Sequence, residues 1–213
     1  IVAIGTIGTY LDSKDSLEFL RHFKGIPILT LEEAFPDFPS ITVDSTMGLR
    51  NLLLHLIRDH HRQHIGYISG RPGNSDAEAR LQIYKSTIVE AGLPLDESLI
   101  AHGDFSEFCE PLVEGLLDAH PEIDALCFAN DQMALGGYRA LKRRGVEIGK
   151  DILVTGFDDV PLALALEPAL STVRANVCEL GSQAVKEIIH LIQTGTTNVT
   201  KLDSSMVLRE SCC

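Results

Sequence analysis

The chain has 213 residues, 45% of them hydrophobic and 23% charged, and a formal net charge of -12 at pH 7. It contains no apolar run of about 18 residues, which excludes a helical membrane span, and so acidic a balance argues against a surface that grips DNA or anionic lipid, because phosphate repels it. The predicted elements alternate from the start. IVAIGTIG (Ile1 to Gly8) reads as a strand, SLEFLRHF as an amphipathic helix and IPILTLE as a second strand. SITVD, the helix-patterned STMGLRNLLLHLIRDHH and the strand HIGYISG follow. NSDAEARLQIYKSTIVEAG is helical, and Gly92 is placed to end it, since glycine readily takes the left-handed conformation that closes helices. A short strand near SLIAHGD leads to a helix predicted from Glu107 to Ala119. DALCFA and its own helix, ended by Gly145, precede ILVTGFDD. The last part gives a short STVRAN, a helix predicted from Glu179 to Gln193 and stopped by Gly195, and an extended KLDSSMVLRES.

Strands separated by helices imply βαβ units and a parallel sheet covered on both faces. The strand-like runs are continuously apolar, as strands buried on both sides should be. About six to eight such units exceed what one doubly wound sheet needs and fall short of two complete ones, the pattern of a two-subdomain protein with one part missing. The five cysteines are odd in number and lack metal-knuckle spacing, so they are read as reduced thiols in a cytoplasmic compartment. Ile1-Val2-Ala3-Ile4 shows no basic leader, in agreement with that compartment.

The motifs of common catalytic and cofactor sites are absent: no GxSxG, no phosphate-binding GxxxxGK[ST], no HExxH and no GxGxxG after a strand. No enzyme activity, cofactor or metal is therefore expected. His60, His61 and His64 sit where a helix ends, and adjacent histidines diverge, so a favourable helix dipole explains them better than a metal does. Asp158-Asp159 has the look of paired carboxylates, but no nucleophile accompanies it. Lys142-Arg143-Arg144, the one basic cluster, reads as a solvated helix end.

What remains is a set of polar and aromatic residues at strand ends. Asn130-Asp131 terminates DALCFA; Asp131 is suited to cap the next helix, which leaves Asn130 without a structural duty. Arg80 opens a helix, where its five-donor fork either pairs with Asp76 or Glu78 or holds two vicinal hydroxyls or a carboxylate. Phe105 either seals the core or stacks on a ligand ring. Asp158 is a turn former or a ligand group, and Glu32 a loop acid or a ligand group. Together they occupy the carboxyl ends of several strands, where open α/β sheets bind their ligands.

ITVDSTMG, ARLQIY, CFANDQMALGGYRAL, DILVTGFDDVPLALALEPALSTVRAN, ELGSQAV and VLRESC, in this order and spacing along the chain from about Ile26 to Cys212, resemble the effector-binding domain of LacI/GalR-type transcriptional regulators. The resemblance implies a periplasmic-binding-protein-like α/β fold: two doubly wound parallel-sheet subdomains with a ligand cleft between them, the first incomplete. Residues 1–43 and 175–200 would form the amino-terminal subdomain, and 44–174 and 201–213 the carboxy-terminal one, with crossings near Val43, Arg174 and Thr200. It further implies that Arg80, Phe105, Asn130, Asp158 and Glu32 bind a small polar ligand such as a carbohydrate. The expected protein is a homodimer that reaches DNA only through a domain not present in this chain. Two departures stand out: two βα units that the family places before IVAIGTIG are missing, and Ala175 stands where a polar hinge residue is common. Two alternatives use the same fold: a sensor fused to a signalling output such as a diguanylate cyclase or kinase, and a solute-binding protein for a transporter.

Overall fold

The computed structural model describes residues 3–5, 13–23, 25–32, 34–197 and 200–212. In chain order the elements are β1 (Ala3–Gly5), α1 (Ser13–Arg21), β2 (Ile28–Leu31), β3 (Ser40–Asp44), α2 (Ser45–Arg58), β4 (Ile65–Ser69) and α3 (Ser75–Glu90). There follow β5 (Ile100–His102), α4 (Glu110–Ala119), β6 (Ala125–Phe128), α5 (Asp131–Arg143), β7 (Leu153–Thr155) and α6 (Pro161–Ala165). The last elements are β8 (Thr172–Arg174), α7 (Val177–Thr194), β9 (Thr200–Asp203) and β10 (Ser205–Val207). Of the first predicted strand, the remainder of Ile1 to Gly8 lies outside the described residues, as does Cys213. None of the described helices is long and apolar enough to cross a membrane.

The chain forms two compact units. Unit 1 comprises Ile1–Asp44, Gly73–Asp76 and Asn176–Asp203, and unit 2 comprises Ser45–Pro72, Ala77–Ala175 and Ser204–Cys213. The sheet of unit 1 has the order β1-β2-β3-β9, with every pairing parallel. Side chains alternate across a strand, and β2 shows the result. Ile28 packs with Leu20 of α1 and Phe35, whereas its neighbour Leu29 packs with Leu180, Ala184 and Ile188 of α7. The fourfold spacing of those three residues puts them on one face of α7. Gly195, at φ 73°, ends that helix by returning its N–H to the Leu191 carbonyl.

Unit 2 is built on a parallel sheet of order β5-β4-β6-β7. Every residue of β4, β6 and β7 is buried, which is why these runs are apolar without alternation. A fully buried leucine or isoleucine there contributes roughly 1.5–3 kcal/mol. On one face, Gly66 lies against Leu126, Ile123 and Leu116 of α4, and Gly137 of α5 lies against the ring of Phe128. On the other face Tyr67 of β4 stacks on Tyr84 of α3, with ring centroids 4.6 Å apart and planes inclined by 21°. The Tyr84 hydroxyl donates to the Ile65 carbonyl at 2.8 Å.

Four expectations need correction. The last strands are not parallel: β8 pairs antiparallel with β10, and the chain then turns through a 3-10 segment, Glu210–Cys212, instead of staying extended. The helix expected from Glu107 begins at Glu110, because Phe105 takes a left-handed φ of 69° and Asp104 accepts from the Ser106 N–H at 3.0 Å in a local turn. The helix expected from Glu179 begins at Val177, after Asn176 in the left-handed conformation. The basic cluster is not simply solvated, since Arg143 meets Glu110 and Glu114 at 3.3 and 3.2 Å, and Arg144 meets Asp118 at 2.7 Å. These pairs tie α5 to α4.

Candidate functional site

The carboxyl ends of β4, β5, β6 and β7 all open on one edge of the unit 2 sheet, and four of the five expected residues stand there. Arg80, on the second turn of α3, is held from three sides. Its Nη1 donates to the Ala129 carbonyl at 2.7 Å. Its Nη2 stands 3.7 Å from Asp158 Oδ1, and its guanidinium carbon lies 3.7 Å from the ring centroid of Phe157. With the Arg80 side chain 11% exposed and that of Asp158 33%, the carboxylate is the more open member of the pair. A guanidinium over an aromatic face is a favourable arrangement, and it fixes the plane of the fork.

Asn130 overturns the expectation for its own position. It is the N-cap of α5: its Oδ1 accepts from the Met133 N–H at 2.9 Å. Its Nδ2 donates to the Phe105 carbonyl at 3.1 Å, so the amide links the end of β6 to the loop after β5. Asp131, the expected cap, is fully buried and instead accepts from the Thr172 hydroxyl at 2.6 Å and from the Val160 N–H at 3.0 Å. Burial pushes its carboxyl up to about 6, against the pull of those hydrogen bonds. Phe105 is half-buried over Gly70, where an added Cβ would stand 2.1 Å from the ring. Only glycine allows the ring that close.

Backbone strain marks the same places. Six described residues other than glycine have positive φ, and Phe105, Asp158 and Glu32 are three of them, at 69°, 107° and 69°. Residues held in such conformations cluster at ligand sites, where surrounding structure enforces them. Asp159, at φ 57°, shows how this is done. Its side chain, 8% exposed, accepts from Arg174 Nε at 2.6 Å and from Arg209 Nη2. Burial alone would raise its carboxyl, but the two arginines outweigh that and hold it below the ordinary range. Asp159 anchors the turn and leaves Asp158 to face outward. Sequence reasoning passed over Phe157 and weighed Asp159 only as half of a carboxylate pair; the available signal was the doubled acid after an aromatic in GFDD, together with arginines in STVRAN and VLRES.

Glu32 belongs to unit 1, at the end of β2, where its N–H donates to the Ile41 carbonyl at 2.8 Å. The histidine cluster also differs from expectation. His60 meets His55, with Nε2 atoms 3.1 Å apart, and His55 Nδ1 lies 2.7 Å from Asp59. Burial and the neighbouring His55 lower the His60 pKa, the opposite of stabilisation as a cation by a helix dipole. Among the described residues, no group of three or more His, Cys, Asp or Glu side chains gathers to hold a metal ion.

Chemically, the edge offers a carboxylate, the outer donors of a fixed guanidinium and an aromatic ring, with opposite charges beside each other. That combination suits a neutral, hydroxyl-rich guest, because hydroxyls can donate to Asp158 and accept from Arg80.

Comparison with known proteins adds a family. The profile described as "Periplasmic binding protein-like domain" matches residues 53–212. The HTH-type transcriptional regulator AscG of Escherichia coli (strain K12) is 32% identical over 200 residues, covering 92% of this chain and 59% of that protein. The chain thus spans well under two thirds of that relative. The solved transcriptional regulator CelR–cellobiose complex superposes with a TM-score of 0.86 at 25% identity, over 99% of this chain and 64% of that one. The lac repressor dimer bound to operator and the anti-inducer ONPF superposes with a TM-score of 0.83 at 25% identity, over 98% and 72%.

Proposed function

The chain belongs to the periplasmic binding protein-like family, in the form carried by LacI/GalR-type regulators, and on that premise we propose that it is the small-molecule sensing domain of such a regulator. The ligand is a sugar or a related polyhydroxylated metabolite. Arg80 and Asp158 clamp its hydroxyls, Phe105 flanks its ring and Asn130 shapes the floor. The whole protein works in the cytoplasm as a homodimer and reaches DNA through a domain outside this chain. It transmits a signal because ligand binds two states of the protein with different affinity; equal affinity would move nothing.

The observation that carries the reading is the guanidinium of Arg80, seated between Phe157, Asp158 and the Ala129 carbonyl at the carboxyl edge of a parallel sheet. The cellobiose in the CelR complex and the operator in the lac repressor complex support the ligand class and the output. Titration calorimetry of the chain against cellobiose, D-ribose, D-galactose and adenosine tests it. A saturable heat with at least one sugar is expected, lost by tenfold or more in Arg80→Ala and in Asp158→Ala. Wild-type affinity in both variants would remove the site.

A further inference from the structure

Three side-chain polar atoms of unit 2 stand buried and without a hydrogen-bond partner among the described residues: Nε of Arg62, the hydroxyl oxygen of Tyr67 and Nε of Arg80, of which the last two concern the ligand edge. Their positions relate them. Tyr67 is completely buried in the middle of β4, and its ring stacks on Tyr84. Tyr84 and Arg80 are four residues apart on α3, so they share one helix face, the face turned toward Tyr67. Burial raises the pKa of the Tyr67 hydroxyl, and the positive charge of Arg80 opposes that rise. Neither atom can be left alone cheaply, because a buried donor or acceptor without a partner has lost its hydration and gained nothing in return. The guanidinium spends Nη1 on Ala129 and turns Nη2 toward Asp158, so Nε is the donor that faces inward.

We propose that Tyr67 is a positioning residue for Arg80, and that a single buried water joins the Tyr67 hydroxyl to Arg80 Nε beneath the ligand edge. The water accepts from Nε–H and donates to, or accepts from, the phenol oxygen, which satisfies both orphans at once. The Phe157 ring fixes the plane of the guanidinium and the bridge fixes its rotation within that plane. Arg80 then presents its outer donors in one orientation, and the cost of ordering the fork is met before a ligand arrives. This deepens the sensing role assigned above to Arg80, yet the bridge exists without ligand.

The test is therefore made first on the ligand-free chain. In a 1H–15N spectrum, the Arg80 Nε–H signal, assigned by its disappearance in Arg80→Lys, is expected to exchange slowly with solvent. In Tyr67→Phe, which removes only the hydroxyl, its exchange should quicken by tenfold or more and its proton shift should move. A crystal structure of the wild-type chain should show one water within hydrogen-bond distance of both atoms. An Nε–H signal untouched by Tyr67→Phe, or a variant that melts at a higher temperature with the signal unchanged, overturns the proposal. That second result identifies a plain orphan hydroxyl. If Tyr67→Phe does not fold, the wild-type water decides alone: its presence supports the bridge and its absence overturns it. Cellobiose, D-ribose and D-galactose titrations form a separate arm. Tyr67→Phe should weaken whichever sugar binds by about three- to tenfold, and should do nothing further in an Arg80→Ala background. Failure of cellobiose, D-ribose and D-galactose alike to bind, with the Nε–H behaviour as expected, would sink the sugar reading and leave the bridge standing.

Discussion

The guanidinium of Arg80 lies 3.7 Å from the centre of the Phe157 ring, and the Asp158 carboxylate beside it follows Phe157 directly in the chain. One turn of backbone thus supplies both the platform and the counter-charge. Phe157→Leu keeps the volume apolar and removes the π face. The expected result is a five- to thirtyfold loss of sugar affinity, about 1–2 kcal/mol for a partly desolvated cation over an aromatic ring. Calorimetry measures it, and an unchanged affinity would mean that the ring is only core.

Asn130 carries two duties that substitutions can separate. Asn130→Ala removes the α5 cap and the link to the Phe105 carbonyl. It should destabilise unit 2 by about 1–2 kcal/mol in urea unfolding. Asn130→Asp keeps an oxygen for the Met133 N–H and loses the donor to Phe105. It should retain most of the cap stability while weakening sugar binding, because a carboxylate repels the carbonyl that it now faces.

Gly70→Ala places a methyl group where the Phe105 ring sits. The ring must shift, since an added Cβ would stand 2.1 Å from it. A cost of about 1–3 kcal/mol in urea unfolding is expected from overpacking, with sugar affinity falling in parallel. A variant as stable as the wild type would show that Phe105 moves freely.

Asp131 gives a pH dependence of unusual sign. Its folded carboxyl titrates at about 6, above an unfolded value of about 3.9. Its contribution is complete below pH 4 and is lost as pH rises through 6, by up to about 3 kcal/mol. Asp159, held low by Arg209 and Arg174, acts in the opposite direction and loses its contribution as pH falls. Asp131→Asn should therefore gain stability relative to the wild type as pH goes from 4 to 7, while the Asp159 contribution cancels between the two. Urea unfolding of both chains across that range would reveal the crossing, and parallel curves would refute it.

Much of this was legible in the sequence because continuous apolar runs such as GYIS and ALCF have few ways to be buried except inside a parallel sheet. Phe105, Asn130 and Asp158 stood out by their place at the ends of such runs, and Arg80 by its place at the opening of a helix. Their local chemistry was harder to read. The exchange of roles between Asn130 and Asp131 depends on Thr172 and Val160, which are distant along the chain and reach Asp131 only after folding. The antiparallel pairing of β8 with β10 escaped for the same reason: three-residue strands carry too little pattern to give a direction. Tyr67 looked like any apolar strand residue, and nothing in its neighbours revealed that its hydroxyl would be unmatched.

The end of unit 2 is also its keystone in time. Ser211 accepts from the Ser171 N–H at 2.8 Å and donates to the Val154 carbonyl at 2.6 Å, and Arg209 closes on Asp159. A ribosome delivers these residues after every strand of the main sheet has already emerged. The turn that presents Asp158 accordingly stays unpinned until Arg209 and Ser211 have left the exit tunnel and closed on Asp159, Ser171 and Val154.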